Sequence, residues 1–302
     1  MKIAYIILAH RYPEQLIRLV KRLHTESAIF LIHIDKKVDP AIYKSIINEL
    51  KCLQNVHFIK RFTCFWAGFG IVQATYQGIK ELINNHIAFD YLILLSGQDY
   101  PIKTNEYIQQ FLQEHQGQSF INFNPFPFDE WEGERGGWNR IEYWHIITQK
   151  LYYILPWLPI SSNGNILKNI FKKVISKLIN KRTIPGGLHP YGGAQFWCLH
   201  QEHVKYIHQF ISKHPSYFRF FRFVYVPDEI LFQTIIGNSS YTNKLENDTL
   251  HYIDWSRVNK IFTKTDLRAI QQNKCLFARK FDRTVDAEIL DLIDTEILGI
   301  KF

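Results

Sequence analysis

The sequence has little of what marks most specialised protein classes. Cysteine occurs only four times (Cys52, Cys64, Cys198, Cys275) and never as CxxC, which excludes a zinc ribbon and a disulfide-stapled framework. All four have apolar or aromatic neighbours, so buried free thiols in a reducing compartment are expected. The apolar opening Ile3–Ala9 is only seven residues long, with no small-residue cleavage site after it. It is too short for a signal sequence or a membrane span and reads as a buried strand. No GxGxxG follows that strand and no GxxxxGK[ST] occurs, which counts against dehydrogenases and P-loop enzymes. A GxSxG elbow is missing, as are HxxxH and HExxH pairs. With 46% hydrophobic and 21% charged residues, the chain is neither disordered nor of low complexity.

What is present is a chain of 302 residues, long enough to bury roughly 75% of its unfolded surface without staples. There are 36 Lys and Arg against 28 Asp and Glu, a net charge of +8. That excess favours an anionic partner: nucleic acid, a membrane surface or a phosphorylated small molecule. The basic residues form no stripe interleaved with aromatics, so nucleic acid is not expected.

Strand-like and helix-like runs alternate through the first half. Strands are expected at Ile3–Ala9, Ile29–Ile34, Val56–Ile59 and Tyr91–Leu95, and helices at Pro13–Leu23, Pro40–Leu50 and Ile71–Ile83. This order predicts a Rossmann-like α/β layer with a sheet covered on both faces. Ligands of such sheets lie beyond the carboxyl ends of the strands. His10, Asp35 and Ser96-Gly97-Gln98-Asp99 therefore stand out. Residues 122–165 are rich in aromatics, Gly and Pro, including Trp131, Trp138, Trp144 and Trp157. They fit either a surface for a hydroxylated ligand or a lid packed over the sheet. Residues 163–182 carry six cations, no carboxylate and an apolar stripe at helical spacing. That pattern suits a membrane-surface helix or a helix facing the core. Strands are expected again at Gln195–Leu199 and Val224–Val226, followed by a helix that Asp228 caps with Glu229 in its first turn. No internal repeat or linker divides the chain, so one domain over 1–302 is expected.

Eight strings then occur in a telling order: AYIILAH (4–10), LIHIDKK (31–37), FWAGFGIVQATYQGIKEL (65–82), YLILLSGQDYPIKT (91–104), GGAQFWCL (192–199), VPDEILFQTIIGNS (226–239), LHYIDWS (250–256) and LFARKFD (276–282). Together they resemble the core-2/I-branching β-1,6-N-acetylglucosaminyltransferase and peptide O-xylosyltransferase family. The resemblance implies a GT-A type fold, a UDP-sugar donor, and inverting transfer without the metal of a DxD motif; no DxD occurs in the sequence. It implies a nucleotide-sugar-binding half over 1–121 and an acceptor-binding and catalytic half over 122–302.

By the same resemblance, Glu229 is the general base, with Asp228 as its neighbour in register. Lys280 binds the diphosphate. Gln272 falls where the branching enzymes have a second cation, and Arg279 or Lys274 substitutes for it. Asp35, His10 and Asp99 belong to the donor side, although Asp99 also suits a role in orienting its loop. Trp131, Arg140, Tyr143 and Trp255 fall to the acceptor side. A metal-free site must neutralise the departing diphosphate with fixed cations, which is chemically coherent. UDP-GlcNAc is the favoured donor, with UDP-xylose or UDP-glucuronate as alternatives, and a non-catalytic binding relative as a third reading. A glycan or lipid-linked glycan is the expected acceptor, met at a membrane through 163–182. A chain that starts at its first strand suggests a bacterial-type cytoplasmic or peripheral enzyme.

Overall fold

The structure, a computed structural model, describes residues 1–149, 151–155, 181–256 and 260–300. Its centre is a mixed sheet of seven strands. Strands β1 (Ile3–Ala9), β2 (Ala28–Ile34), β3 (Val56–Phe58) and β4 (Tyr91–Ser96) run parallel, in the order β4-β1-β2-β3. The strand Trp197–His200 continues beyond β4 in the antiparallel sense, followed by Ser119–Ile121 and Leu245–Glu246. This is the Rossmann-like mixed sheet flanked by helices expected of a GT-A type fold.

Period-2 alternation sorts the side chains of β1 between two cores. Ile3, Tyr5, Ile7 and Ala9 pack with helices α1 (Pro13–Leu23) and α2 (Pro40–Leu50). Ala4 and Ile6 face the other way, toward helix α3 (Gly70–Asn84). In α1 the apolar face Leu16, Leu19, Val20 and Leu23 is at most 1% exposed, and each such burial contributes about 1.5–3 kcal/mol. Pro13 opens that helix, with Glu14 in the first turn and Lys21 and Arg22 in the last, which suits the helix dipole. α3 crosses the sheet so closely that a Cβ on Gly78 would lie 2.6 Å from Ile6.

A second, three-stranded sheet joins distant segments in the order His251–Ile253, Phe277–Arg279, Tyr100–Pro101. Its core is continuous with that of α1 and runs from Ile3 to Ile293. The end of the chain is pinned to α1 by Asp294, which is fully buried. It accepts from Arg18 at 2.6 Å and Tyr100 at 2.9 Å, and pairs with Arg22 at 2.7 Å.

Three sequence expectations are corrected. Val224–Val226 is not a strand: Val226 takes a left-handed φ of 48° and its N–H donates to the Ala67 carbonyl at 3.1 Å. Asp228 does not cap the following helix, because it lies inside a one-turn 3-10 segment, Pro227–Glu229, and Ile230 precedes the helix Leu231–Gly237. Of the four free thiols only Cys198 is buried; Cys64 and Cys275 are half-buried and Cys52 is exposed. Trp157 and most of the basic segment 163–182 lie outside the described residues.

Candidate active site

Register places the site. Ala9 pairs with Ile34 and Leu8 with Ser96, so three parallel strands end level. The residues that follow them, His10, Asp35 and Gly97, line a cleft of about 660 Å³. That is a common volume for a small-molecule site, at the strand ends where such ligands bind. The second sheet supplies a facing wall. Ile253 pairs with Arg279, which brings Asp254-Trp255 and Arg279-Lys280 to the same rim. The turn Pro227–Glu229 adds a third wall with Asp228 and Glu229.

The donor-side wall is tied down by backbone. Asp35 is buried, and its Oδ1 accepts from the Lys37 N–H at 2.8 Å and its Oδ2 from the Cys64 N–H at 3.3 Å. Its own N–H donates to the Ala9 carbonyl at 2.8 Å. His10 is held below the usual imidazole range first by burial and then by Arg11. It is neutral, and its Nε2 accepts from Arg11 Nε at 2.8 Å. Burial, then Arg279 and Arg11, lower the Lys280 ammonium from its ordinary value.

Arg279 lies with its guanidinium 3.9 Å over the Phe196 ring and its Nε 3.4 Å from Asp99 Oδ1. Burial pushes its pKa down, while Asp99, Asp228 and Glu229 act to restore it. Asp99 itself is fully buried beneath the cleft. It accepts from the Ser96 N–H at 2.6 Å and the Ser96 hydroxyl at 2.8 Å, with His251 Nε2 3.8 Å away. It therefore sits behind Arg279 rather than on the ligand side, and it orients both that cation and the Ser96 loop. Two amides finish the wall: Gln15 and Gln98 both donate to the Phe281 carbonyl, at 3.2 and 3.1 Å.

The acceptor-side wall is built from side chains. Glu229 Oε2 pairs with Arg140 Nη1 at 2.7 Å. Burial raises the Glu229 carboxyl above the usual range, and Arg140 opposes this. Asp228 is pushed up to about 7 by burial and by the adjacent Glu229, and its Oδ1 is buried with no hydrogen-bond partner. Arg140 also pairs with Glu134 and lies 3.5 Å over the Trp131 ring. Trp131 thus backs Arg140 and does not line the cleft. Its bay requires glycine, since a Cβ on Gly192 would come within 2.6 Å of the indole. Tyr143 also lies away from the cleft, its carbonyl accepting from Arg182 at 3.3 Å. Trp255 stands on the rim, 77% exposed, with Trp66 78% exposed.

Of the residues expected from sequence, the cleft brings together His10, Asp35, Glu229, Arg140, Trp255, Arg279 and Lys280. Asp99, Trp131 and Tyr143 stand outside it. Sequence reasoning did not single out Glu134, Tyr225 or Trp66. Trp66 lies within a matching string, whereas Glu134 and Tyr225 carry no signal of residue type or spacing.

Lys181 and Arg182, the described end of the basic segment, do not form a solvated cationic face. Lys181 pairs with Glu142 at 2.7 Å. Arg182 is buried, its Nη1 donating to the Phe223 carbonyl at 2.7 Å and its guanidinium 4.0 Å over Phe220; burial alone lowers it to about 10.

The model of the core-2/I-branching enzyme family matches residues 3–275. The chain belongs to the core-2/I-branching enzyme family. Among its relatives, xylosyltransferase 2 of Rattus norvegicus is 24% identical across 99% of this chain and 34% of that protein. Xylosyltransferase oxt of Drosophila melanogaster is 23% identical, again over 99% and 34%. This core-2/I-branching chain thus spans about a third of the length of the curated relatives it matches. A solved structure, 4-diphosphocytidyl-2C-methyl-D-erythritolsynthase from Anaerococcus prevotii DSM 20548, aligns with a TM-score of 0.40 and 14% identity, over 89% of this chain and 94% of that one. The family match stops four residues before Arg279. Among the described residues no three His, Cys, Asp or Glu side chains gather as a metal-binding group. No described helix is long and apolar enough to cross a membrane.

Proposed function

We propose that this chain is an inverting glycosyltransferase that moves a sugar from a UDP-sugar to a hydroxyl without a metal ion. The observation that carries this is one cleft with the cations Arg279 and Lys280 on one wall and the carboxylate Glu229 on another. Glu229 takes the proton from the acceptor hydroxyl as its oxygen attacks the anomeric carbon. The bond from that carbon to the phosphate oxygen breaks on the opposite face. UDP leaves with the electron pair, and Arg279 and Lys280 stabilise its growing charge. A positioned base contributes on the order of 10²–10⁴-fold, and aimed cations contribute several kcal/mol of barrier lowering. No second carboxylate is needed, because the diphosphate leaves without protonation.

N-acetylglucosamine is the sugar expected from the resemblance. The names of the relatives favour xylose as the second reading. The acceptor we propose is a glycan, free or lipid-linked, met at the inner face of a membrane with help from residues 163–182. A screen of UDP-xylose, UDP-N-acetylglucosamine and UDP-glucuronate for UDP release tests the donor; turnover of GDP-sugars alone sinks the UDP assignment. Glu229→Gln is expected to lower turnover about 10²–10⁴-fold with donor binding kept. Unchanged turnover removes Glu229 as base, and no turnover by the native chain with any donor and acceptor leaves a binding protein. EDTA is expected to have no effect, and loss restored by Mn²⁺ defeats the metal-free step.

A further inference from the structure

Arg140 is the most constrained cation on the acceptor side. It is 8% exposed and bridges two carboxylates, Glu134 through Nε and Nη2 and Glu229 through Nη1. Its guanidinium lies 3.5 Å over the Trp131 ring and 5.8 Å from that of Tyr225. Its carbonyl accepts from the Tyr225 N–H at 3.0 Å. Edge contacts from Phe126 and Phe128, at 5.7 and 5.2 Å, fix Trp131 in turn. A cation whose fork is shared between two carboxylates and whose face is covered has little capacity left for an acceptor. It has every means of holding Glu229.

We infer that Arg140 is the positioning residue of the base: it keeps Glu229 charged and aimed into the cleft, while Glu134 tempers how strongly it does so. The inference rests on Glu229 being the proton acceptor. Its physical basis is a balance. A buried carboxylate resists ionisation, and a cation at 2.7 Å restores it. A lone arginine at that distance would leave a poor base, and Glu134 draws off part of its charge. The other charged or titratable groups around Glu229 are Asp228, which shares its turn, and Arg279 across the cleft. Tyr225 and the buried His145, held near 4 by burial, flank Arg140 and Glu134.

The test is the pH profile of kcat/KM, read as UDP release from UDP-xylose or UDP-N-acetylglucosamine, whichever the chain turns over. In Arg140→Met the acid limb should move up by at least about one pH unit. The rate at pH 7 should fall at least about tenfold and partly recover at higher pH. Arg140→Lys should hold the limb near its native place. Glu134→Gln should move the limb the opposite way, toward lower pH, and it carries the test if Arg140→Met does not fold. A uniform loss with unmoved limbs in both Arg140→Met and Glu134→Gln overturns the inference. Glu229→Gln separates the two levels. If it retains turnover, the base assignment fails and takes this inference with it. If it loses turnover while the limbs of the other variants stay put, only the role of Arg140 fails.

Discussion

The two walls of the cleft are made by different means. On the donor side, Asp35 and the residues after β1 and β4 are placed by strand register and main-chain hydrogen bonds. On the acceptor side, Glu229, Arg140, Glu134 and Trp131 hold one another through side chains. The chain there takes left-handed turns at Arg135, Gly136, Gly137 and Val226. Sheet-borne positions move little when a neighbouring side chain changes, whereas a side-chain cluster shifts as a unit. One wall is thus suited to a constant nucleotide, and the other to adjustment toward a particular hydroxyl.

The largest expected effect tests the donor wall. Replacing Lys280 by Met should cost about 10²–10³-fold in turnover while α1 and the main sheet keep their stability. An equal loss of thermal stability would mean that the cation serves the fold rather than the leaving group. A smaller effect tests the acceptor wall. Gly192→Ala drives a methyl against Trp131, so it should cost about 1–3 kcal/mol of stability and raise KM for the acceptor, with donor affinity unchanged. If donor affinity falls in step, the walls are not separable.

The smallest effect is thermodynamic. Folded Asp228 keeps its proton up to about 7, against an ordinary value of 3.8. Between those values the folded chain binds more protons than the unfolded one, so stability falls as pH rises through the window. Asp228→Asn cannot ionise. It should therefore raise Tm by a few degrees at pH 8 and by nothing near pH 4. A gain independent of pH contradicts the burial account.

Much of the donor wall was legible because local physics makes it. α1 and α2 were readable to the residue, since each opens on proline and shows its apolar face at helical spacing. The strand ends followed, and with them His10 and Asp35. The acceptor wall was less legible. Arg140 meets Glu229 across 89 residues of sequence, and no local pattern encodes that pairing. Asp99 looked like a ligand contact because it follows a strand; its partners Arg279 and His251 come from the other sheet. Val224–Val226 looked like a strand because its side chains favour one. The left-handed backbone at Val226 instead turns the chain so that Asp228 and Glu229 reach the cleft.

The contacts that set Arg279 and Lys280 in place span nearly the whole chain. Gln15 reaches the Phe281 carbonyl over 266 positions, and Arg18 reaches Asp294 over 276. During synthesis the main sheet's parallel strands are complete long before the segment that supplies the cations has left the ribosome. The nucleotide pocket therefore closes last, as a late event of high contact order. Until then the chain exposes an unfinished, uncharged groove, and proteolysis within its final quarter would remove catalysis even with β1–β4 intact.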